Sequence, residues 1–361
     1  MKIAVLANLT VNAPVWDDMS PDQWDDLDSP KTVGIVCSTL EKLGHTAEFL
    51  EANVNPPFVV REKLESFKPD LCLNLAEGHF GDGREAHIPS LLEMMRLPYT
   101  GSRVITLAMA LDKPLTKRVL HYHELPTPEF QVFGSADEEI NEDLMDGQEL
   151  RFPLFVKPSR EGTGIGVTAK SIVHSVRDLR ERLREMFARY NQPILCERYI
   201  DGRELTLGLV GNLGPTAARR LNDRTAPEVL PGELTFFPAL EVDTDKYDES
   251  EGGVYTNRIK TDLVDSFHYT CPARIDTALA DRLNRLAAAV FRVMGCLDIS
   301  RVDFRIDTQG NPYILEINPL PGLNPDYSDL PIEAKAAGWS YERLIKSIVD
   351  LAAQRWGIKA E

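Results

Sequence analysis

The sequence predicts an α/β fold in which a parallel-sheet domain precedes a region with antiparallel strands. Short apolar strands alternate with helical stretches over the first 125 residues, which is typical of a parallel sheet. Two apolar strands near the C-terminus flank a tight turn, which is typical of an antiparallel hairpin. The length of 361 residues exceeds one ordinary core and indicates two or three packed units.

The first domain, residues 1–125, begins with an apolar strand at 3–7. Ser29 followed by Pro30 is typical of a helix N-terminus, and one apolar helical face continues to Gly44. In such a sheet, ligands bind near the carboxyl ends of the strands. Further strands are predicted at 45–51 and 71–75, and helices at 88–95, 104–111 and 113–123.

The prolines of PTPEFQVF, residues 126–133, predict an extended linker, and we place the first domain boundary there. An acidic segment at 243–262 later interrupts the regular pattern. Strands are predicted in PLFVK, GVTAK, PILCERY and ELTLGLV and at 299–306 and 312–317, and helices at 175–190, 275–294 and 341–356.

The composition excludes several classes of protein. Apolar residues make up 43% and charged residues 27% of the chain, as in ordinary globular proteins. The formal net charge of −16 argues against a nucleic-acid partner, which needs a basic face. No apolar run has the length of a membrane span, and the first strand is too short for a signal peptide. Five scattered cysteines without a CxxC pair indicate reduced thiols, so we expect a cytoplasmic protein.

Acids in the C-terminal hairpin predict a metal site. Asp303 lies in the middle of one apolar strand, and Glu316 and Asn318 lie at the end of the next, across a turn at 309–311. Antiparallel pairing across this turn brings the three side chains together. Carboxylate and amide oxygens on rigid strands suit Mg²⁺, with phosphate completing its shell. Either acid alone is more often solvated, but the combination favours a metal.

A glycine-rich loop predicts phosphate binding. In VKPSREGTGIGV, residues 156–167, Lys157 ends an apolar strand and three glycines follow within five residues. The backbone N–H groups of such a loop can surround phosphate oxygens. Lys113, at the start of a helix, could supply a second cation. The loop lacks the residue order of a P-loop, so the stretch alone does not exclude a glycine-rich hairpin.

The segment ILCERYIDGRELTLGLV carries Glu197 and Glu204 on either side of a turn at Asp201 and Gly202. Such a segment can hydrogen-bond adenine through its backbone and ribose through a carboxylate. The alternative is a surface hairpin with solvated acids, and the segment alone does not decide between the two.

Six motifs in a fixed order resemble the D-alanine–D-alanine ligase branch of the ATP-grasp superfamily. They are LPYTGS, LDKPLTK, VKPSREGTGIGV, ERYIDGRE, YTCPA and RVDF…LEINPLPG. The resemblance extends from about residue 71 to the C-terminus. It implies an N-terminal α/β substrate domain followed by two ATP-grasp domains of α+β type, at 126–210 and 211–361. The acidic segment would be a mobile loop at about 243–262.

The resemblance also implies a role for individual residues. Contacts to ATP are implied for Lys113, Lys157, Ser159, Gly162, Thr163, Gly164, Gly166, Glu197, Tyr199, Ile200 and Glu204. Asp303, Glu316 and Asn318 would bind two Mg²⁺ ions, with Mn²⁺ as an alternative. Arg301 and the Gly322 amide would stabilise an oxyanion, and Lys260 would contact phosphate and the second substrate.

The implied reaction joins a carboxylate to an amine. The carboxylate attacks the γ-phosphorus of ATP to give an acyl phosphate, and the amine then displaces phosphate. The alternatives are a ligase for a different amino acid or a peptide, and a regulator that binds ATP on the same fold without catalysis. The implied partners are small amino-acid or peptide substrates, and ligases of this kind are often homodimers.

The sequence departs from the family where the amino acids would bind. The first strand runs into a long acidic loop rather than a glycine-rich turn with a glutamate. Glu77 stands where the family has histidine, and Thr163 replaces a serine. Ser328 lies in the stretch GLNPDYSDLP, which would hold the carboxylate of the second substrate, and is offset by one position from the family pattern. We expect Glu77, with Asp17 and Asp18, to face an amino group or a more cationic first substrate. D-alanyl-D-alanine and another amino-acid or peptide product remain equal alternatives.

Overall fold

The computed structural model describes residues 1–17, 19–53, 59–141, 149–214, 233–243 and 268–358. Within these ranges, strands form three sheets, each covered by helices. The strands are β1 Lys2–Ala7, β2 Thr46–Glu51, β3 Leu71–Asn74, β4 Phe130–Phe133, β5 Leu154–Pro158, β6 Ile172–Val173, β7 Ile194–Arg198, β8 Gly202–Gly211, β9 Leu234–Phe236, β10 Leu240–Val242, β11 Tyr269–Thr270, β12 Asp298–Asp307 and β13 Pro312–Asn318. The α-helices are α1 Pro30–Lys42, α2 Val59–Phe67, α3 His87–Met95, α4 Val104–Leu111, α5 Lys113–Tyr122, α6 Val176–Arg189, α7 Thr277–Val293, α8 Asp329–Ala336 and α9 Tyr341–Trp356.

The N-terminal sheet is parallel, in the order β2–β1–β3. Helices α1 and α9 pack on one face and α2 and α3 on the other, so β1 is almost completely buried. The predicted start of α1 is confirmed, because the Ser29 side chain accepts a hydrogen bond from the Thr32 N–H and Pro30 occupies the first turn. The loops that follow β1 and β3 leave the sheet at its carboxyl edge.

The central sheet is antiparallel, in the order β4–β7–β5–β6, with α6 packed against it. The predicted linker at 126–133 contributes the edge strand β4. The prediction of a strand in GVTAK was wrong. Gly166 has a φ of +76°, and the Thr168 and Ser171 side chains cap each other's backbone N–H groups, so the chain turns through a 3₁₀ helix at Ala169–Ser171 instead.

The C-terminal sheet has the order β11–β10–β8–β12–β13, and β9 also pairs with β8. All its pairings are antiparallel. Because β8 pairs with β12 over its whole length, we propose a boundary between the central and C-terminal domains at 199–201, earlier than residue 210. The α/β fold class and the antiparallel hairpin of β12 and β13 are confirmed.

The five cysteines are free, with Cys72, Cys196 and Cys296 buried. Burial raises the pKa of the Cys72 and Cys296 thiols to about 12. Among the described residues, no helix combines the length and apolar character needed to cross a membrane.

Candidate active site

Strand register places the predicted site on one face of the C-terminal sheet. Residues directly opposite each other on neighbouring strands point to the same side, as do alternate residues along a strand. The opposite face of β12 presents Val302, Phe304 and Ile306 to the core. Three rows of side chains therefore cross the functional face: Glu204 with Arg305, Thr206 with Asp303 and Glu316, and Gly208 with Arg301 and Asn318.

In the second and third rows, Arg301 pairs with Asp303 through two N···O contacts of 2.9 Å. Thr206 Oγ1 donates to the same carboxylate at 2.6 Å, and Arg301 Nη1 lies 3.3 Å from Asp329 Oδ2. Burial lowers the pKa of Arg301, but the charges of Asp303 and Asp329 outweigh it, so the net shift is upward. Arg301 is therefore a permanent cation between two acids.

Asp303, Glu316 and Asn318 are brought together as predicted. Asp303 is directly opposite Glu316, and the Asn318 side-chain oxygen accepts from the Leu320 N–H at 2.9 Å, which orients the amide. Two carboxylates and an amide oxygen are a donor set that fits a hard divalent cation. The set contains two acids and an amide, and among the described residues no group of three or more His, Cys, Asp or Glu side chains is arranged to hold a metal.

A cleft of about 780 Å³ lies between this face and the central sheet. Lys113 and Lys157 both line it, as predicted. Lys113 Nζ lies 3.3 Å from Glu316 Oε2, and Lys157 Nζ lies 2.8 Å from Glu197 Oε1. Burial lowers the pKa of Lys157, but the charge of Glu197 outweighs it and the net shift is upward. Two cations therefore converge beside the candidate metal ligands.

The sequence analysis missed Lys117. Its side chain is completely buried, with Nζ 2.6 Å from Glu197 Oε2 and 2.7 Å from Thr127 Oγ1. The Glu197 carboxylate is thus held between Lys117 and Lys157, and its direct contact with adenine remains a prediction. The sequence does contain an indication of this role: Lys117 follows Lys113 by one helical turn in LDKPLTK, so both lysines lie on the same face of the helix.

The far end of the cleft is flat and aromatic. Phe155 and Tyr199 stack with ring centroids 6.3 Å apart, and both line the cleft. The Tyr199 N–H already donates to Pro153, and the Ile200 carbonyl accepts from Arg305 Nε. Backbone hydrogen bonds to adenine would therefore come from the Tyr199 carbonyl and the Ile200 N–H.

Arg305 is a second residue that the sequence analysis missed. It donates to Glu204 Oε2 at 2.9 Å and to the Tyr199 hydroxyl at 2.8 Å. It thereby fixes two residues predicted to contact the nucleoside. The alternation along β12 predicts that Arg305 shares a face with Arg301 and Asp303, because these three residues alternate with apolar ones.

The predicted phosphate loop, residues 159–167, begins at Ser159, which two backbone hydrogen bonds hold in place. Ser159 is completely buried, and its carbonyl accepts from the Lys113 N–H while its N–H donates to Pro193. The turns that follow need left-handed backbone at Thr163, Gly164 and Gly166, with φ of +50°, +70° and +76°. Only glycine adopts this conformation without strain, which explains two of the three glycines. Gly164 lines the cleft.

The N-terminal loop, residues 8–29, docks onto the phosphate loop. Asp22 Oδ2 accepts from the Gly166 N–H at 2.9 Å and from the Tyr190 hydroxyl at 3.0 Å. Arg84 donates to Asp26 at 2.6 Å and to the Arg160 carbonyl at 2.7 Å, which adds a second tie between the two loops. Asp22 and Arg84 thus join the two loops.

Arg84 lies within an acidic cluster formed by Asp26, Asp28, Glu77, Glu85 and Glu161. Burial, followed by the charge of Glu85, raises the pKa of Glu77 well above its usual value. Burial also raises the pKa of Glu85 to about 7, and the charges of Lys113 and Glu316 act on this group. Glu85 therefore connects the acidic cluster to the nucleotide cleft. Asp17 is exposed, and Asp18 lies outside the described residues.

Aromatic rings border the acidic cluster. Trp24 packs edge-on against His79 and Phe80, with centroids 5.2 and 5.7 Å away. Trp16 packs against Trp24 and Phe80 and, like Phe80, is partly exposed. The loop that carries the two tryptophans has no periodicity, so the sequence does not predict their contacts.

At the other end of the face, Gly322 and Ser328 lie together. A Cβ on Gly322 would be 2.8 Å from Ser328 Oγ, which itself accepts from the Asn324 N–H. Ser328 precedes α8 as its N-cap residue. The structure thus brings together the two residues predicted to bind the oxyanion and the second substrate. Lys260 and residues 244–262 of the expected mobile loop lie outside the described residues.

Comparison with known proteins identifies this arrangement. The D-ala D-ala ligase C-terminus family matches residues 119–229 and 232–350. The D-alanine–D-alanine ligase of Pelotomaculum thermopropionicum is 33% identical over 86% of this chain and 89% of its own length. The chain belongs to the D-alanine–D-alanine ligase family. The predicted resemblance is confirmed, and the protein is an ATP-grasp ligase that forms a C–N bond and uses ATP and a divalent metal.

Other relatives extend this similarity. An uncharacterized protein of Sinorhizobium fredii is 32% identical to this ligase over 89% of the chain and 87% of its own length. The crystal structure of the Bacillus anthracis D-alanine–D-alanine ligase complexed with ATP superimposes with a TM-score of 0.71, covering 99% of both chains at 22% identity. The match over 99% of the chain confirms the predicted α/β fold class.

Proposed function

We propose that this ligase activates the carboxylate of an amino acid as an acyl phosphate and transfers the acyl group to an amine. The three-row face supports this proposal best, because Asp303 and Glu316 lie beside Lys113 and Lys157 in one cleft and Arg301 pairs with Asp303. A protein that only bound ATP would not need a buried arginine next to the candidate metal ligands. Amine attack on the acyl carbon places negative charge on the carbonyl oxygen, and Arg301 with the Gly322 N–H would stabilise this oxyanion.

Asp303, Glu316 and Asn318 would hold two Mg²⁺ ions, or Mn²⁺ in their place. A divalent ion at this position neutralises phosphate oxygens as charge redistributes during phosphoryl transfer. Lys113 and Lys157 would contact the phosphates from the opposite side of the cleft, and the phosphate loop would cover them. Glu204, oriented by Arg305, would accept a hydrogen bond from the ribose.

The acid substrate would carry an ammonium group that faces the acidic cluster. Glu77, Glu85 and Asp26 outnumber Arg84, and a cation beside them would offset the burial and the repulsion by Glu85 that raise the pKa of Glu77. The curated relatives are named for D-alanine, so D-alanine is the first acid substrate to test. A different amino acid or a short peptide would use the same cluster.

The test is release of ADP and phosphate from ATP and Mg²⁺ in the presence of D- and L-amino acids, singly and in pairs, with mass spectrometry of the products. We expect an amide product whose formation requires ATP hydrolysis in a ratio of one to one. Tight ATP binding without release by any acid would contradict the proposal and favour a regulator.

We also propose that the ligase is a homodimer, as the family resemblance implies, and that it is cytoplasmic, as its five scattered free cysteines indicate. Sedimentation at micromolar concentration tests the dimer, and a single species of about 40 kDa, the mass of one chain, would contradict it.

A further inference from the structure

The phosphate loop ends in a buried peptide that is held from two sides. Because Gly166 is buried, its N–H and carbonyl need partners within the protein. The N–H donates to Asp22 Oδ2 at 2.9 Å, and the carbonyl accepts from Arg182 Nη2 at 2.7 Å. Arg182 belongs to α6, in the same domain as the phosphate loop, whereas Asp22 belongs to the N-terminal loop of the first domain. The two domains therefore meet at Gly166.

Hydroxyl groups fix the Asp22 carboxylate in this position. The Tyr190 hydroxyl lies 3.2 and 3.0 Å from the two carboxylate oxygens, and the Ser20 hydroxyl donates to Oδ1. Tyr190 is buried, which raises the pKa of its hydroxyl to about 12, so this group remains a donor at neutral pH. A carboxylate that accepts from two hydroxyl groups and a backbone N–H has a defined position.

The turn that precedes Gly166 needs contacts of this kind. Thr163 has a φ of +50°, a left-handed conformation that is unfavourable for a residue with a side chain. Ile165 and Val167 line the nucleotide cleft, whereas the N–H of Gly166, between them, is bonded to Asp22. Asp22 therefore helps to hold a strained turn whose other residues face the nucleotide.

Arg84 adds a second tie near the start of the phosphate loop. It donates to the Arg160 carbonyl at 2.7 Å and to Asp26 at 2.6 Å, and it lies 3.4 Å from Glu161 Oε2. The side chains of Arg84, Asp26 and Glu161 are all buried. Asp26 is a member of the acidic cluster that we propose to face the ammonium group of the first substrate. One carboxylate thus belongs to that site and, through Arg84, is joined to the phosphate loop.

The N-terminal loop itself stands apart from the nucleotide. Among the residues that the structure describes, those lining the nucleotide cleft include Glu161, Ile165 and Val167 of the phosphate loop and none of the N-terminal loop. An effect of the nucleotide on the N-terminal loop would therefore be transmitted by the residues that join the two loops.

We propose that Asp22 is a positioning residue that links ATP binding to the first-substrate site. When a nucleotide holds the phosphate loop in place, the contacts of Asp22 and Arg84 fix the N-terminal loop, and with it Asp26, around the first substrate. The link is reciprocal, so a fixed N-terminal loop also favours the phosphate loop in its ATP-bound position. This inference rests on the proposed contact between the phosphate loop and ATP.

The sign of the change in ATP affinity separates positioning from charge. Asp22 is an acid beside the phosphate loop, so its charge alone disfavours ATP, and a purely electrostatic role predicts tighter binding when the charge is removed. We expect Asp22→Ala to weaken binding of a non-hydrolysable ATP analogue with Mg²⁺ by about tenfold, the scale for losing a hydrogen bond to a charged group. Asp22→Asn keeps an acceptor for the Gly166 N–H, so its affinity should equal or exceed that of the wild type. Calorimetry on the full chain measures all three dissociation constants.

Hydrogen exchange tests the transmission between the loops. In the wild type, binding of the same analogue should slow amide exchange at 159–167 and also at 19–29. In Asp22→Ala at a saturating concentration of the analogue, the slowing at 19–29 should be lost. Asp137→Ala is the control, because the Asp137 side chain is 89% exposed in the central domain, and both measurements should match the wild type.

Three results would overturn the inference. The first is unchanged or tighter binding of the analogue by Asp22→Ala, and the second is an equal loss of affinity in Asp22→Asn and Asp22→Ala. The third is a wild type in which the analogue protects 159–167 but not 19–29, which needs no variant to fold. None of these results affects the proposed ligase reaction, which amide formation tests separately. Absence of protection at 159–167 would instead contradict the proposed phosphate contacts, and the inference with them.

Discussion

The guanidinium of Arg301 holds the carboxylate of Asp303 through two contacts of 2.9 Å. The two residues are separated by one position on β12, so both side chains lie on the same face of the strand, and Asp303 lines the cleft. Asp303 is also the central predicted metal ligand. Any cation that binds Asp303 must therefore compete with Arg301, and the arginine keeps Asp329 as a partner when it is displaced.

Removing either predicted metal-binding acid should abolish turnover. Asp303→Asn and Glu316→Gln keep the shape of the side chain but remove the charge that holds a divalent ion. We expect ADP release to fall by at least about 100-fold, the usual scale for losing one charged catalytic contact, with an unchanged circular dichroism spectrum. Asp281→Asn, on the exposed side of α7, is the control. Near-full activity of either site variant would refute the metal assignment.

A side chain at Gly166 should weaken ATP binding. Its φ is +76°, and an added Cβ would lie 2.7 Å from Pro158 Cγ, so Gly166→Ala strains the backbone and displaces the loop. Gly310→Ala is the matched control, because its φ is +83° but nothing lies within 4 Å of the added Cβ. Backbone strain alone costs about 1 kcal/mol at both positions. Calorimetry should show weaker ATP binding for Gly166→Ala only, and equal affinities would contradict the packing argument.

Breaking the buried pair of Lys117 and Glu197 should be strongly destabilising. Lys117→Met removes one of two lysines from a carboxylate that is 2% exposed, and loss of one partner of a buried ion pair costs about 3–5 kcal/mol. Urea denaturation measures this change in the free energy of unfolding. The double variant Lys117→Met with Glu197→Gln should recover part of the loss. Additive losses in the double variant would show that the two residues do not interact.

Two acids should make stability depend on pH. Burial raises the pKa of both Asp28 and Glu85 to about 7 in the folded chain, from ordinary values of 3.8 and 4.5. The folded state therefore holds these protons more tightly than the unfolded state. The resulting stabilisation is complete below about pH 4 and is lost as the pH rises to about 7.

Glu85→Gln tests this dependence, because it removes one of the two titrations. At pH 8 the variant should be more stable than the wild type by about 1–3 kcal/mol, and the difference should vanish near pH 4. Urea denaturation across this range measures it. Glu48→Gln, on the exposed side of β2, should leave the curve unchanged. If the free energy of unfolding differed between Glu85→Gln and the wild type by the same amount at every pH, the assigned titration would be refuted.

The metal ligands could be predicted because their geometry is local. The turn at 309–311 places β12 and β13 side by side, so Asp303 and residues 316–318 lie near each other. Alternation alone does not give their common face, because the register shifts between the Asp303–Glu316 and Phe304–Ile314 pairs, and without this irregularity Glu316 would share the core face of Ile314. The ends of α9 could be predicted, since its apolar period is regular from Tyr341 to Trp356.

The acidic cluster could not be predicted in this way. Arg84 contacts Asp26, which is 58 residues earlier, and Asp22 contacts Gly166, which is 144 residues later. These contacts join irregular loops that have no period, so nothing in the sequence sets their distance.

The alternation along β12 sets both the residues that fill the core and the residues of the functional face, so catalysis and folding depend on the same strand register. Val302, Phe304 and Ile306 fill the core, while Arg301, Asp303 and Arg305 face the cleft. An insertion or deletion of one residue within this strand would exchange the two sets, burying three charges and exposing three apolar side chains. We therefore expect an insertion or deletion in β12 to abolish folding and activity, which most single substitutions do not. Natural variation in chain length is expected in the connecting loops.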